Sequence, residues 1–215
     1  HMARITIIET GQVPTKYREQ HGSFPDMFER MVRAEDPTAT VDVVSIPNGD
    51  ALPDWRKLEA VLITGAAAGV YDELDWIAPL EDFVRTAYVQ KTPMVGVCFG
   101  HQLIAQALGG TVRKSEKGWG IGRHVYQVLP DNGVIDGEEV AIACSHQDQV
   151  IVAPNDALTI LSSDFTPHAG LLYANGATLT LQAHPEFDLA FAQLCCELRT
   201  GKAPDDLVAT AKASL

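Results

Sequence analysis

Short apolar runs rich in β-branched residues recur through the first half of the chain, and helical patterns separate them. The runs occupy residues 5–8, 41–46, 61–63 and 94–97. Continuous apolar runs of this length are typical of strands that are buried on both faces of a parallel sheet. Between them, residues 25–34 and 76–90 carry apolar side chains at three- and four-residue spacings, as helices that cover a sheet do. The first half is therefore predicted to alternate strands and helices.

The pattern changes after Gly109-Gly110, where apolar and polar residues begin to alternate. Residues 124–129 show this alternation, and shorter apolar runs follow near 140, 150, 158, 171 and 178. Alternation of this kind predicts antiparallel strands. A chain of 215 residues is long enough for one α/β domain with a sizeable core. We therefore predict a single domain over residues 3–215, and we interpret His1-Met2 as a cloning remnant.

The charge and cysteine content restrict the partners and the compartment. A formal net charge of −12, with no run of Lys or Arg, makes nucleic acid and anionic membranes unexpected partners, so a small substrate or a protein partner remains. No apolar stretch approaches the roughly 18 residues of a membrane span, and no secretory signal is evident. The four cysteines form no CxxC pair, and no histidine stands at metal-ligand spacing. We expect a cytoplasmic protein without a metal site.

Gly96-Val97-Cys98-Phe99-Gly100 stands where an apolar strand ends and a helical pattern begins. This pattern predicts a nucleophile elbow with cysteine as the nucleophile. The flanking glycines suit a sharp strand-to-helix turn, in which backbone segments come too close for a Cβ atom. The turn also places Cys98 at a helix N-terminus, where the free N–H groups can stabilise a thiolate. Taken alone, Cys98 could equally be a buried and unreactive cysteine.

A second motif, Gln182-Ala183-His184-Pro185-Glu186, follows an alternating strand. A histidine at the end of a strand can hydrogen-bond a thiol, and a carboxylate two residues further on can hold the other ring nitrogen. This motif therefore favours a reactive Cys98 over an inert one.

Together, GVCFGHQ at 96–102 and QAHPEF at 182–187 resemble the class I glutamine amidotransferases, including stand-alone domains of the GMP synthase-like kind. The resemblance covers nearly the whole chain. It implies an α/β, flavodoxin-like fold with helices on both faces of a mixed, mostly parallel sheet. It also implies a catalytic triad, in which Cys98 attacks a glutamine side-chain amide, His184 is the general acid and base, and Glu186 orients His184. No cofactor is required for this chemistry.

Three further segments carry the same resemblance. Residues 63–72 resemble the family's oxyanion loop, and the implied oxyanion donors are the N–H groups of Gly65 and Phe99. Gln102 and the segment 144–148 match positions that grip the substrate's amino acid end. The candidate substrate-binding residues are Gln102, Ser145, His146 and Asp148. For Gln102 and Asp148, an ordinary solvated side chain is the alternative.

The fate of the released nitrogen is open at this point. The chain shows no P-loop that could host an ATP-dependent synthetase, so ammonia would pass to a separate synthetase subunit. Alternatively, the protein acts alone as a γ-glutamyl peptide hydrolase, or it is a catalytically silent binding or regulatory module. We favour the first interpretation. Cysteine-elbow proteins of the protease and chaperone type usually carry His directly after the cysteine, where this chain has Phe99.

Overall fold

The computed structural model describes residues 3–215, so the two residues interpreted as a cloning remnant lie outside the described part. The strands are β1 (Arg4–Glu9), β2 (Thr40–Ser45), β3 (Val61–Ile63), β4 (Met94–Val97), β5 (Thr111–Lys114), β6 (Gly120–Val128), β7 (Glu139–His146), β8 (Asp148–Val152), β9 (Ala157–Ser162), β10 (Gly170–Tyr173) and β11 (Thr178–Leu181). Each of the four predicted parallel strands is present within about one residue of its predicted bounds.

Nine strands form one sheet in the order β2-β1-β3-β4-β11-β10-β9-β6-β7. Its first five strands run parallel, and the remaining neighbours pair antiparallel, as the change of pattern after Gly110 predicts. The run near 178 is an exception, because β11 pairs parallel with β4 and antiparallel only with β10. Strands β5 and β8 form a separate antiparallel pair. The central position of β11 matters most for function, because its carboxyl end lies beside that of β4.

The helices are α1 (Thr15–His21), α2 (Phe24–Glu35), α3 (Ile77–Val89), α4 (Phe99–Ala107), α5 (Leu189–Glu197) and α6 (Asp205–Ser214), with a 3₁₀ turn at Trp55–Lys57. Helix α2 begins at a capping box, in which the Ser23 hydroxyl accepts from the Asp26 N–H and the Asp26 carboxylate accepts from the Ser23 N–H. Helices α1 and α6 were not predicted. None of the helices within residues 3–215 is long and apolar enough to cross a membrane.

The core lies on both faces of the sheet, because successive residues of a strand point to opposite sides. Ile8 and Ile63 pack in a cluster with α3 and α4, whereas Ile7 and Leu62 pack in another with Phe28 of α2. This arrangement confirms the predicted α/β class with helices on both faces of a mixed sheet.

Candidate active site

Cys98 stands between β4 and α4 with a strained backbone. Its φ of 54° and ψ of −106° fall in a region that residues with side chains rarely occupy. A Cβ atom on Gly96 would lie 2.7 Å from the backbone of Gly100, and one on Gly100 would overlap the carbonyl group of Ile63. The two glycines are therefore required by close packing. This is the sharp strand-to-helix turn that the sequence pattern predicts.

The pairing of β4 with β11 brings the two sequence motifs together. Leu181 lies opposite Val97, and the Cys98 N–H donates to the Leu181 carbonyl at 2.8 Å. The chain then continues from β11 to His184, whose own N–H donates to the Ala143 carbonyl at 2.8 Å. These main-chain bonds fix the position of His184 beside Cys98.

His184 is held on two sides by residues of its own motif. Its Nδ1 lies 2.9 Å from Oε2 and 3.2 Å from Oε1 of Glu186, and both side chains are buried. Its ring stacks on Phe187 with centroids 4.0 Å apart and planes inclined by 8°. Since Nδ1 faces the carboxylate, Nε2 is left for the nucleophile and the substrate.

The charges around His184 favour its protonated form. Burial alone would lower the pKa of His184, but the negative charge of Glu186, and that of Cys98 when it is ionised, raise it above the ordinary value of 6.5. A protonated imidazole next to Cys98 can stabilise a thiolate and later donate a proton. The electrostatics therefore suit nucleophilic catalysis.

Gly65 lies against both residues. A Cβ atom at this position would be 3.1 Å from Cε1 of His184 and 3.5 Å from Cβ of Cys98. Phe99 is the first residue of α4, so its N–H belongs to the first helical turn, where donors have no partner within the helix. The structure thus places both candidate oxyanion donors next to the thiol.

Thr10, which the sequence patterns did not single out, anchors the loop that carries Gly65. Its hydroxyl donates to the carbonyls of Thr64 at 3.0 Å and Gly65 at 3.2 Å, and its N–H donates to the Thr64 hydroxyl at 3.0 Å. Gly11 packs so closely that a Cβ atom there would lie 2.6 Å from Cα of Ala66. The loop after β3 is therefore held in place by the loop after β1.

Gln182 is a second residue whose role the sequence did not indicate, although it stands in the QAHPEF motif. It is fully buried, and its Nε2 lies 3.6 Å from Sγ of Cys98. Its Oε1 accepts from Nε2 of Gln102 at 3.0 Å, and the same Gln102 nitrogen donates to the Asp148 carbonyl at 2.9 Å. Gln102 therefore links Gln182, the neighbour of the Cys98 thiol, to Asp148 at the start of β8.

A polar cavity of about 330 Å³ opens at Cys98, and all four candidate substrate-binding residues line it. They are Gln102, Ser145, His146 and Asp148. His146 is buried, which lowers its pKa to about 3, and its Nδ1 lies 3.1 Å from the Asp148 carbonyl oxygen. The hydroxyl of Tyr71 donates to Oδ1 of Asp148 at 2.8 Å across the cavity. The structure thus brings these four residues together. Several of their polar atoms already form hydrogen bonds within the protein.

Arg199 is a further residue of the site that has no sequence signal. Its Nη2 donates to the Ser145 hydroxyl at 3.0 Å, and its guanidinium lies 4.3 Å from the centroid of the Trp119 ring. Burial lowers its pKa. Its Nε is buried without a hydrogen-bond partner, and within residues 3–215 it forms no salt bridge. The Arg199 guanidinium, which pairs with no carboxylate among the described residues, thus lines the cavity beside Cys98.

The fold and the site define a class of protein: an α/β protein with a cysteine on a strained strand-to-helix turn at the carboxyl edge of its parallel strands. More particularly, the chain belongs to the class I glutamine amidotransferase family, since the family model "Glutamine amidotransferase class-I" matches residues 21–192. This match confirms the family that the two motifs indicate.

Individual proteins agree with this assignment. Gamma-glutamyl peptidase 4 of Arabidopsis thaliana is 33% identical over 175 residues, which cover 75% of this chain and 68% of that protein. One subunit of the glutamine-hydrolyzing GMP synthase of Sulfolobus acidocaldarius is 28% identical over 148 residues, covering 68% and 77%. The crystal structure of a glutamine amidotransferase from Thermotoga maritima superposes with a TM-score of 0.78 at 21% identity, covering 99% of this chain and 91% of that one, and therefore shares the fold.

Proposed function

We propose that this protein hydrolyses the γ-amide bond of a glutamyl compound through Cys98, His184 and Glu186. The observation that carries the proposal is the strained elbow at Cys98, which faces Gly65 and the buried His184–Glu186 pair. Membership of the class I glutamine amidotransferase family supports the same chemistry.

In the first half-reaction, the Cys98 thiolate attacks the γ-carbonyl carbon and forms a C–S bond. The negative charge that develops on the carbonyl oxygen is stabilised by the N–H groups of Gly65 and Phe99. When the C–N bond breaks, His184 donates its proton to the departing nitrogen. The products are a free amine or ammonia and a γ-glutamyl thioester on Cys98.

In the second half-reaction, neutral His184 removes a proton from water, which attacks the thioester carbon. The same two N–H groups stabilise the second tetrahedral intermediate. The C–S bond then breaks, glutamate leaves, and the thiolate and the protonated imidazole are restored. Glu186 accepts the Nδ1 hydrogen bond throughout and orients the ring. None of these steps uses a cofactor.

The polar cavity is the proposed site for the amino acid end of the glutamyl group. It offers Asp148 to the ammonium group, and Gln102, Ser145 and His146 line it together with Cys98. Lys114 lies opposite Asp148 in the β5–β8 pair and lines the same cavity, so it is placed to attract the carboxylate.

Two fates of the nitrogen follow from the similarities. Similarity to one subunit of a GMP synthase supports delivery of ammonia to a separate synthetase subunit. Similarity to a gamma-glutamyl peptidase supports hydrolysis of γ-glutamyl peptides by the protein alone. A catalytically silent module is disfavoured, because the complete set of candidate catalytic groups converges on one point. The four free cysteines suit the reducing cytoplasm that we propose as the location.

The test measures glutamate release by the purified protein from glutamine and from a panel of γ-glutamyl dipeptides, with Cys98→Ala as the control. We expect release that Cys98→Ala abolishes. Glutamate release by Cys98→Ala at the wild-type rate would contradict the covalent mechanism. Slow glutamine hydrolysis without dipeptide turnover, stimulated by a cell extract, would favour a synthetase partner.

A further inference from the structure

A second cavity also opens at Cys98, adjoins the polar cavity through residues 66–68, Ser145 and Arg199, and differs from it in character. Its volume is about 380 Å³, within the range of roughly 300 to 1,000 Å³ that small-molecule sites occupy. Its lining includes five large apolar side chains: Pro14, Phe24, Phe187, Phe191 and Leu198. Phe191 meets both Phe24 and Phe187 edge to face, at centroid distances of 6.0 and 4.8 Å. These rings form a pre-arranged aromatic surface next to the nucleophile.

The position of His184 shows which part of a substrate belongs in this apolar cavity. His184 and Gly65 line the apolar cavity, whereas the lining of the polar cavity includes neither. In the proposed mechanism, on which this inference rests, His184 protonates the departing nitrogen. We therefore place that nitrogen in the apolar cavity, which His184 lines, and the glutamyl group in the polar cavity.

Ammonia has no group that would fill an apolar cavity of this size. An amine with a large apolar side chain would bury that side chain against the three phenylalanine rings, and removal of apolar surface from water favours binding. We therefore propose that the apolar cavity is a leaving-group subsite, and that the preferred substrates are γ-glutamyl peptides whose second residue is aromatic or bulky and aliphatic.

Arg199 adds a charge requirement to this subsite. It lines both cavities, whereas Lys114 and Lys202 line only the polar one. Its partner Ser145 has a carbonyl oxygen 4.0 Å from Sγ of Cys98, so the guanidinium lies close to the reacting bond. In a γ-glutamyl peptide, the carboxylate of the second residue is two bonds from the departing nitrogen. Arg199 is placed to hold that carboxylate, and the lysines are left for the glutamyl end.

The experiment compares kcat/KM of the purified protein for γ-glutamyl-phenylalanine, γ-glutamyl-glycine, γ-glutamyl-glutamate, γ-glutamyl-phenethylamide and glutamine. We expect the phenylalanine compound to exceed the glycine compound by about 10- to 100-fold. It should exceed the phenethylamide, which lacks the carboxylate, by about tenfold. Equal values across the peptides, or a preference for glutamine over all of them, would overturn the subsite.

A pair of variants tests the cavity wall. Leu198→Lys places a cation on the wall at a half-buried position, and Leu189→Lys makes the same change at the exposed first residue of α5, outside the cavity. In Leu198→Lys we expect the ratio of kcat/KM for γ-glutamyl-phenylalanine to that for γ-glutamyl-glutamate to fall about tenfold or more. Leu189→Lys should keep the wild-type ratio. An unchanged ratio in folded Leu198→Lys would overturn the subsite.

The outcomes also separate this inference from the proposed function. If glutamine and all peptides are hydrolysed without regard to the leaving group, the proposed function stands and the subsite is wrong. If none of the compounds, glutamine included, yields glutamate, both fail together.

Discussion

The hydroxyl of Tyr71 donates a 2.8 Å hydrogen bond to Oδ1 of Asp148, which joins the loop after β3 to the start of β8 across the polar cavity. Burial, and then the contact with Asp148, raise the pKa of Tyr71 to about 12, so the hydroxyl stays protonated as a donor throughout any neutral assay. The bond leaves Oδ2 of Asp148 for another partner. We interpret this pair as one wall of the site for the substrate ammonium group.

Asp148→Asn should raise KM for γ-glutamyl substrates by about 10- to 100-fold and change kcat little, because a charged contact to the bound substrate is lost. Tyr71→Phe should raise KM by only about fivefold, since it removes a neutral donor that orients the carboxylate. Steady-state kinetics on both variants checks this order. An unchanged KM in Asp148→Asn would show that Asp148 is a solvated acid.

A γ-glutamyl-directed electrophile should modify Cys98 and spare the other three cysteines. All four thiols are free, but burial raises the pKa of Cys195 to about 12 and raises that of Cys144 and Cys196 as well. Peptide mass mapping after brief exposure checks the expected selectivity. Labelling chiefly at Cys195 or Cys196 would contradict the assignment of the nucleophile.

Both Glu186→Gln and His184→Ala should lower kcat, but kcat of Glu186→Gln should remain at least about tenfold higher than that of His184→Ala. The reason is that Glu186 orients His184 and takes no proton itself. The variant also removes the negative charge that raises the pKa of His184. At alkaline pH a smaller fraction of His184 then carries its proton, so the alkaline limb of the rate profile should move to lower pH. Equal losses in two folded variants, without a shift of the profile, would contradict this role.

The local part of the fold could be predicted because buried parallel strands are continuous apolar runs, as 61–63 and 94–97 show. The pairing of β4 with β11 could not be predicted from local patterns, because Val97 and Leu181 are far apart in sequence. Helix α6 was also missed. It packs through Val208 and Ala211, and so few apolar residues give only a weak helical stripe.

The residues of the candidate site likewise divide into those that the sequence could indicate and those that it could not. Cys98, His184 and Glu186 stand in short motifs whose spacing already indicates their chemistry. Thr10 and Arg199 have no such motif, because each acts through a contact with a residue more than 50 positions away. Their roles depend on which loops the sheet brings together.

Thr10→Val should lower kcat about tenfold, because the hydroxyl that holds the carbonyls of Thr64 and Gly65 is lost while the side-chain volume is kept. It should also destabilise the protein by about 1 to 3 kcal/mol, because the buried Thr64 carbonyl loses its Thr10 donor, whereas the Gly65 carbonyl still accepts from the Thr64 hydroxyl. Thr40→Val, on exposed strand β2, is the matched control and should keep wild-type kcat. Kinetics and thermal unfolding on both variants provide the comparison. Wild-type kcat in Thr10→Val would mean that the loop holds Gly65 without this anchor.

Gln182→Met should slow both catalysis and alkylation of Cys98 by about tenfold. The Nε2 of Gln182 lies 3.6 Å from Sγ of Cys98, so its N–H points at the atom that carries the negative charge in the thiolate. Methionine keeps the length of the glutamine side chain but offers no hydrogen-bond donor. Gln149→Met is the matched control, since Gln149 is equally buried but donates to the Phe165 carbonyl, away from the nucleophile. If the two variants lose similar stability and only Gln182→Met slows reaction with chloroacetamide, the effect belongs to the thiolate contact. Equal alkylation rates in both variants and the wild type would show that Gln182 serves only to pack the core beneath the elbow.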